Sequence, residues 1–410
     1  MQGLNGSDTV FMFVSAIIVM LMTPGLALFY GGMVRSKNVL STTMHSYSAL
    51  AIVSIQWILF GYSLTFGTDW NGIIGGLNFA GLTGVGFDPN ADYSATIPHG
   101  LFMLFQLMFA ILTPALISGA FAERMKFGPF LAFIFLWSTL VYDPLAHWVW
   151  GVGGWLRNLG ALDFAGGNVV HISSGVSGLV LAIILGKRKD LKTVTPHNLP
   201  MTVLGAALLW FGWYGFNVGS ALSFNSVALT AFINTNTAAA VAAIAWVACE
   251  WILTKKPTIL GAVSGVIAGL VAITPACGFV TPMASIIIGL VGGIVCYFGV
   301  SYLKKKLGYD DALDAFGVHG IGGTWGGIAT GLFATKTVND AGANGLFYGD
   351  PSLVGKQLIA IVASYAFAAI GTFVIIKVIS LFTPIRASEE EEALGLDISI
   401  HGEKAYHESI

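Results

Sequence analysis

Stretches of about 20 predominantly apolar residues follow one another along almost the whole chain, which is the pattern of helices that cross a lipid bilayer. Read between charges and turn residues, they run near 9–34, 41–66, 99–121, 127–150, 168–186, 199–220, 226–254, 258–276, 282–303, 312–334 and 353–383. Inside a bilayer every backbone polar group needs a partner within the protein, so each stretch is expected as a helix. Composition agrees: 10% of the 410 residues are charged and 55% are hydrophobic, with mean hydropathy +0.78. A soluble domain carries roughly a quarter charged residues. The expected fold class is therefore an all-α polytopic membrane protein with eleven transmembrane helices. The gaps at 221–225 and 277–281 are the weakest joints, since each could be a kink within one longer helix.

Lysine and arginine test that count, because cytoplasmic loops accumulate them. Alternate loops hold Arg35/Lys37, Arg124/Lys126, Lys187/Arg188/Lys189/Lys192, Lys255/Lys256 and Lys304/Lys305/Lys306, and the tail adds Arg386 and Lys404. The opposite side holds Arg157, Lys336 and Lys356. This alternation places the N-terminus outside and the C-terminus in the cytoplasm. It divides the chain into a transmembrane domain over 1–384, with halves near 9–186 and 199–334 and an extra helix at 353–383, and a cytoplasmic tail over 385–410. The first apolar run lacks the basic start of a signal peptide and is too long for one, so it is expected to be retained.

A short internal match supports an inverted five-plus-five repeat. Asp163 lies eight residues before His171 in span five, and Asp311 lies eight before His319 in span ten, with Val-His closing both segments. Five is odd, so a second five-helix half runs inverted relative to the first, which brings the two histidines together near the midplane. An ionisable side chain inside an apolar span is costly and defaults to a functional role. The plainer alternative is a pair of buried histidines, each satisfied by one hydrogen bond. Asp163, near the outer end of span five, either caps that helix, whose N-terminus favours a carboxylate, or holds a cation site in shape; the two roles are compatible.

Phe105, Phe109, Trp148, Trp150, Trp210, Trp213 and Phe216 cluster near the outer ends of spans. From composition the ordinary reading is an interfacial belt, and the sharper one is a cation held on aromatic faces. Glycines at i, i+4 spacing, Gly215/Gly219, Gly265/Gly269, Gly289/Gly293 and Gly323/Gly327, allow close helix packing. Thr83 to Phe87 has only a loose likeness to a potassium filter and lies in an outer loop. A net charge of −2 and scattered basic residues speak against a nucleic-acid partner. Cys249, Cys277 and Cys296 lack metal-ligand spacing and are expected as packing residues, so neither metal nor cofactor is expected. The chain shows no HExxH, GxSxG or GxxxxGK[ST] motif, so it is not read as an enzyme.

Six segments together carry a resemblance. Pro24 to Gly32 (PGLALFYGG), Gly119 to Arg124 (GAFAER), Ala161 to Gly167 (ALDFAGG), Val170-His171, Trp213 to Asn217 (WYGFN) and Phe316 to Gly320 (FGVHG) resemble the signature stretches of ammonium transporters of the Amt/Mep/Rh family. The resemblance implies an eleven-helix inverted repeat assembled as a homotrimer with one pore per subunit. It implies that Phe109, Trp150 and Ser220 form an outer cation-recruitment site supported by Asp163, that Phe109 and Phe216 form a stacked gate, and that His171 and His319 are the twin histidines of the pore. Trp150 favours the Amt branch. Asp143, an acid in the outer half of span four, is not explained by these motifs.

The resemblance implies ammonium and ammonia as cargo, with methylammonium, a lipid bilayer as surroundings, and a plasma-membrane location. Two rival functions stand beside an electrogenic transporter: a channel for neutral ammonia or carbon dioxide, and an ammonium sensor signalling through the tail. In that tail Gly395-Leu396-Asp397, His401-Gly402-Glu403 and Tyr406 resemble a segment that docks on a neighbouring subunit and helps trap PII-type signalling proteins. Ser399 falls where some relatives are phosphorylated. The acidic run Glu389 to Glu392 is expected to be simply solvated.

Overall fold

The computed structural model describes residues 3–189 and 195–406. Lys192 of the inner loop and the last four residues of the tail lie outside them. Among the described residues, nine helical stretches are long and apolar enough to cross a membrane, from Gly6–Met33 to Ser352–Ser380. The two other expected spans are also helical but shorter, as Ile259–Ile273 and as Phe316–Gly320 continued by Ile321–Phe333. Both weak joints are true breaks. The helix that follows the first begins at Ser226, capped by the Asn225 side chain, and the one after the second begins at Pro282, capped by Thr281. Short side-chain acceptors at such positions satisfy amides that a helix start leaves without partners. The sheet among the described residues is confined to two small hairpins, Asp69–Trp70 with Ile74–Gly75 and Pro89–Asn90 with Ser94–Pro98, in the loop after span two.

Small residues set the helix spacing. Helix Ser226–Thr254 presents Ala238 and Ala242, and a Cβ on Gly293 would stand 2.6 Å from the Ala242 carbonyl, while one on Gly289 would stand 2.8 Å from Ala238 Cα. The contact that matters most to the site joins spans five and ten: a Cβ on Gly175 would meet the backbone of Gly320, at 2.6 Å from its Cα. No larger residue at Gly175 lets the two histidine-bearing helices approach as closely.

The basic residues that mark one face are held in a buried ionic network. Arg35 and Arg188 both bind Glu123, at 3.0 and 3.2 Å, and Arg188 and Arg124 both bind Asp310, at 2.9 and 3.0 Å. Four loops that the charge pattern assigns to one side thus meet in one cluster. Burial by itself would raise the Asp310 carboxyl, but hydrogen bonds and charge from Arg188, with the Arg124 charge, bring it down to about 2. Its contribution is therefore complete above the ordinary carboxylate range near pH 4 and is lost only as the pH falls toward 2.

The tail is docked on this face. Asp397 accepts from the amides of Leu40 and Ser41 at 3.0 and 2.8 Å, capping the helix of span two, and Asn38 Oδ1 accepts from Leu396 N at 2.8 Å. Tyr406 meets His197 Nε2 at 2.9 Å, and Ser399 Oγ donates back to the Gly395 carbonyl at 2.9 Å. The acidic run departs from expectation. Glu392 is 3% exposed and paired with Arg386, Glu391 closes a capping box with Ser388 and lies 3.5 Å from Lys126, and Glu389 binds Lys189. A run of like charges is solvated only where no cations face it, and here the tail folds back onto them. Deleting 386–410 uncaps span two, at a cost of about 1 kcal/mol for a lost cap, and unties the 185–187 carbonyl groups from Arg386. We expect lowered or deregulated methylammonium uptake with oligomer assembly intact on size-exclusion chromatography; unchanged uptake and regulation would refute a working role for the tail.

Candidate functional site

Asp163 is built into the start of span five. Its Oδ1 accepts from the amides of Gly166 and Gly167 at 2.7 and 2.6 Å, and its Oδ2 accepts from Asn168 at 2.7 Å and Val169 at 3.5 Å. The helix that follows opens with a π-helical turn, Gly167–Ile172, which carries His171. Asp311 repeats the device: its two oxygens accept from Ala315 and Phe316, and the π-helical turn Phe316–Gly320 carries His319. The Asp-to-His spacing noticed in the sequence is thus one capping structure used twice. In each copy the wide turn sets the histidine's direction.

The histidines meet. His171 Nδ1 and His319 Nδ1 are 3.2 Å apart, with ring centroids at 5.3 Å. Two Nδ1 atoms at this distance require one to donate and the other to accept, so the rings hold different tautomers and share one hydrogen. His171 is fully buried and its Nε2 has no partner among the described residues.

Above His171 the rings of Phe216 and Phe109 stack at 4.1 Å with 24° between planes. Above them lies an outer cavity of about 250 Å³ whose wall includes Phe109, Trp150, Asp163 and Ser220. Trp150 stands edge-on to Phe109 at 5.9 Å and anchors its Nε1 on the Asp163 carbonyl at 3.0 Å. Ser220 Oγ donates to the Phe216 carbonyl at 2.8 Å, which leaves its lone pairs available to accept. Beyond His319 a smaller cavity of about 30 Å³ is walled by Phe29, Tyr30 and Asp314 among others. All seven residues expected at the site lie along one line from the outer cavity to the inner one.

The belt reading of the aromatics fails for four residues. Phe105, Phe109, Trp213 and Phe216 are at most 2% exposed and face the protein interior. Trp213 stacks on His171 at 5.6 Å and donates to Thr274 at 2.9 Å, so it walls the histidine chamber. Hydropathy cannot tell an aromatic facing lipid from one facing a pore. Gln357 of span eleven escaped the sequence reading. Fully buried, it accepts from Leu162 N at 2.7 Å and donates to the carbonyls of Leu162 and Gly327 at 2.8 and 3.2 Å, holding the loop that carries Asp163. Its signal was a lone amide in an apolar span, a polar group that must find a partner. Asp143 lies off this line: it is buried, takes a hydrogen bond from Gln56 Nε2 at 2.6 Å and joins span four to span two.

The model of the Ammonium Transporter Family matches residues 10–406. The chain belongs to the ammonium transporter family. An ammonium transporter of Bacillus subtilis (strain 168) is 72% identical over 403 residues, 98% of this chain and 99% of that protein. Ammonium transporter Amt1 of Archaeoglobus fulgidus is 48% identical over 98% of this chain and all of its own length. Among solved structures, Saccharomyces cerevisiae Mep2 superposes with a TM-score of 0.91 at 38% identity, covering 100% of this chain and 93% of that one. A protein described as Sensor Amt Protein superposes at 0.88 with 29% identity, covering 96% and 98%. The all-α membrane fold and the family read from the sequence therefore stand, and the Bacillus and Archaeoglobus relatives are named as ammonium transporters.

Proposed function

We propose that this ammonium transporter recruits NH4+ at the outer cavity, deprotonates it, and passes ammonia and a proton through the twin-histidine pore, the imidazole pair accepting and relaying the proton. The observation that carries the reading is the sealed order of groups: Trp150 and Ser220 at the mouth, stacked Phe109 and Phe216 beneath, and the His171–His319 pair between two cavities. Ammonium and potassium are similar in size and charge, so discrimination rests on protons. Ser220 offers a hydrogen-bond acceptor and Trp150 a π face, while an apolar chamber refuses an ion that keeps its charge. The shared Nδ1 hydrogen makes the imidazoles one coupled unit through which a proton can be handed on. Asp163 supports the outer site by holding the loop that fixes Trp150.

The same reading places eleven spans in the plasma membrane in two inverted halves, with the docked tail and the arginine cluster cytoplasmic. It takes the protein as a homotrimer and the tail face as the contact for a PII-type partner. Currents in proteoliposomes after an ammonium jump test the core claim. Charge movement is expected, and uptake without current would instead establish a neutral gas channel. Replacing Trp150 by Leu keeps an apolar wall but removes a cation–π attraction of about 2 kcal/mol. Half-saturation for methylammonium is then expected to weaken roughly thirtyfold at 1.4 kcal/mol per decade; a shift within twofold leaves Trp150 a packing residue.

A further inference from the structure

His147 lies one turn before Trp150 on the same helix and is fully buried. Both of its ring nitrogens face acceptors. Nδ1 is 2.8 Å from the Thr65 carbonyl, which can only accept, so Nδ1 carries a hydrogen. Nε2 is 2.8 Å from Asp69 Oδ1. A neutral imidazole already protonated at Nδ1 would turn the Nε2 lone pair toward a carboxylate oxygen, which is repulsive. The contact needs one proton more than a neutral histidine and a carboxylate provide between them.

The pair sits at the hinge of the outer site. Asp69 Oδ1 also accepts from Gly72 N at 2.8 Å, fixing the hairpin Asp69–Gly75, and Gly72 O in turn accepts from Trp155 N at 3.1 Å. Trp148 Nε1 donates to Ile73 O at 2.8 Å. The chain leaves Trp150 through Gly151-Val152-Gly153-Gly154, and this turn wraps the pair. A Cβ on Gly151 would strike the His147 ring, and one on Gly153, at φ 95°, would strike the Asp69 side chain. The hairpin, the turn and the end of the Trp150 helix are joined through two side chains.

We propose that His147 and Asp69 hold one proton between them and act as positioning residues that clamp Trp150 for cation capture. The proposal rests on the outer-site reading above. The imidazolium nitrogens donate to Thr65 and Asp69, the hairpin is drawn onto the glycine turn, and Trp150 is presented to the cavity at a fixed height. The cation never touches the pair.

The test uses the full-length transporter in lipid. Nitrogen NMR of ring-labelled histidine, assigned by difference from His147→Gln, is expected to show both His147 ring nitrogens protonated. Finding only one protonated overturns the proton claim. Asp69→Leu removes the acceptor and is expected to weaken methylammonium half-saturation roughly tenfold, about 1.4 kcal/mol, with maximal uptake little changed. In Asp69→Asn the amide NH2 can donate to a neutral Nε2 but cannot also accept from Gly72 N at that position, so half-saturation is expected between wild type and Asp69→Leu while NMR shows one protonated ring nitrogen. Loss of affinity in Asp69→Asn equal to that in Asp69→Leu overturns the proposal, and where Asp69→Leu fails to assemble, NMR and Asp69→Asn decide. Trp150→Leu separates the two readings. If it weakens half-saturation and Asp69→Leu does not, the clamp is wrong and the outer site stands. If Trp150→Leu has no effect, the outer-site reading falls and the positioning role with it. Asp69→Leu added to Trp150→Leu should weaken affinity no further; a fully additive loss also overturns the clamp.

Discussion

Substituting His171 by Asp and His319 by Glu together is expected to convert an ammonium-selective pathway into one that also conducts potassium. The two imidazoles stand in an apolar chamber, joined at 3.2 Å through their Nδ1 atoms, with the phenyl pair on one side and the inner cavity on the other. In that setting a cation that cannot shed a proton meets the full cost of leaving water, and no anionic oxygen compensates it. Carboxylates at both positions supply such oxygens and admit water, so the requirement for deprotonation disappears. The expected result is a fall of roughly tenfold or more in the ratio of ammonium to potassium current, equivalent to about 1.4 kcal/mol of lost discrimination. Both currents should be recorded in the same proteoliposomes after the variant is shown to purify as an intact oligomer. If the histidines merely brace spans five and ten, both currents fall in proportion and the ratio holds, and that result would sink the relay.

Replacing Asp163 by Ala is expected to cut transport severely. The carboxylate accepts from four backbone amides, three of them at 2.7 Å or less, and is 8% exposed. Leaving several buried amides without a partner costs about 1–3 kcal/mol each, enough to rearrange the π-helical turn that aims His171. The damage spreads outward as well, because Trp150 hangs its indole on the Asp163 carbonyl. Methylammonium uptake should drop more than roughly tenfold, in keeping with a loss above 1.4 kcal/mol, and thermal stability should fall. Asp163→Asn keeps one oxygen but turns an NH2 toward amides that need an acceptor, so it should fall between wild type and Ala. Wild-type uptake in Asp163→Ala would show that neither the cap nor the Trp150 anchor matters to transport. Wild-type uptake in Asp163→Asn alone would show that one accepting oxygen suffices.

The order and type of the elements were legible in the sequence, since apolar length and the alternation of lysine and arginine are local properties imposed by the bilayer. Two pairs of candidate residues were legible too. His171 and His319 stand out because an ionisable group in a span is expensive, and Asp163 and Asp311 because their spacing to those histidines recurs. The signature segments contain Phe216, and the family resemblance they carry implied Phe109, Trp150 and Ser220 as well. Local sequence could not say what faces what. Phe105 and Trp213 read as belt residues until packing turned them inward, and Glu389 to Glu392 read as a solvated run until Arg386, Lys126 and Lys189 were found opposite three of them.

Sequence by itself determined that this chain is a bundle of membrane helices of the ammonium transporter family, with two histidines, each eight residues after an aspartate, in equivalent places. Tertiary structure alone decided that the histidines touch through Nδ1, that Gly175 against Gly320 permits it, that Gln357 holds the Asp163 loop and that His147 and Asp69 lock the turn after Trp150. The physical reason is range. Helix formation and burial in lipid follow from neighbours a few residues away, whereas hydrogen-bond partners and close backbone contacts join residues up to 358 positions apart, which no local pattern specifies.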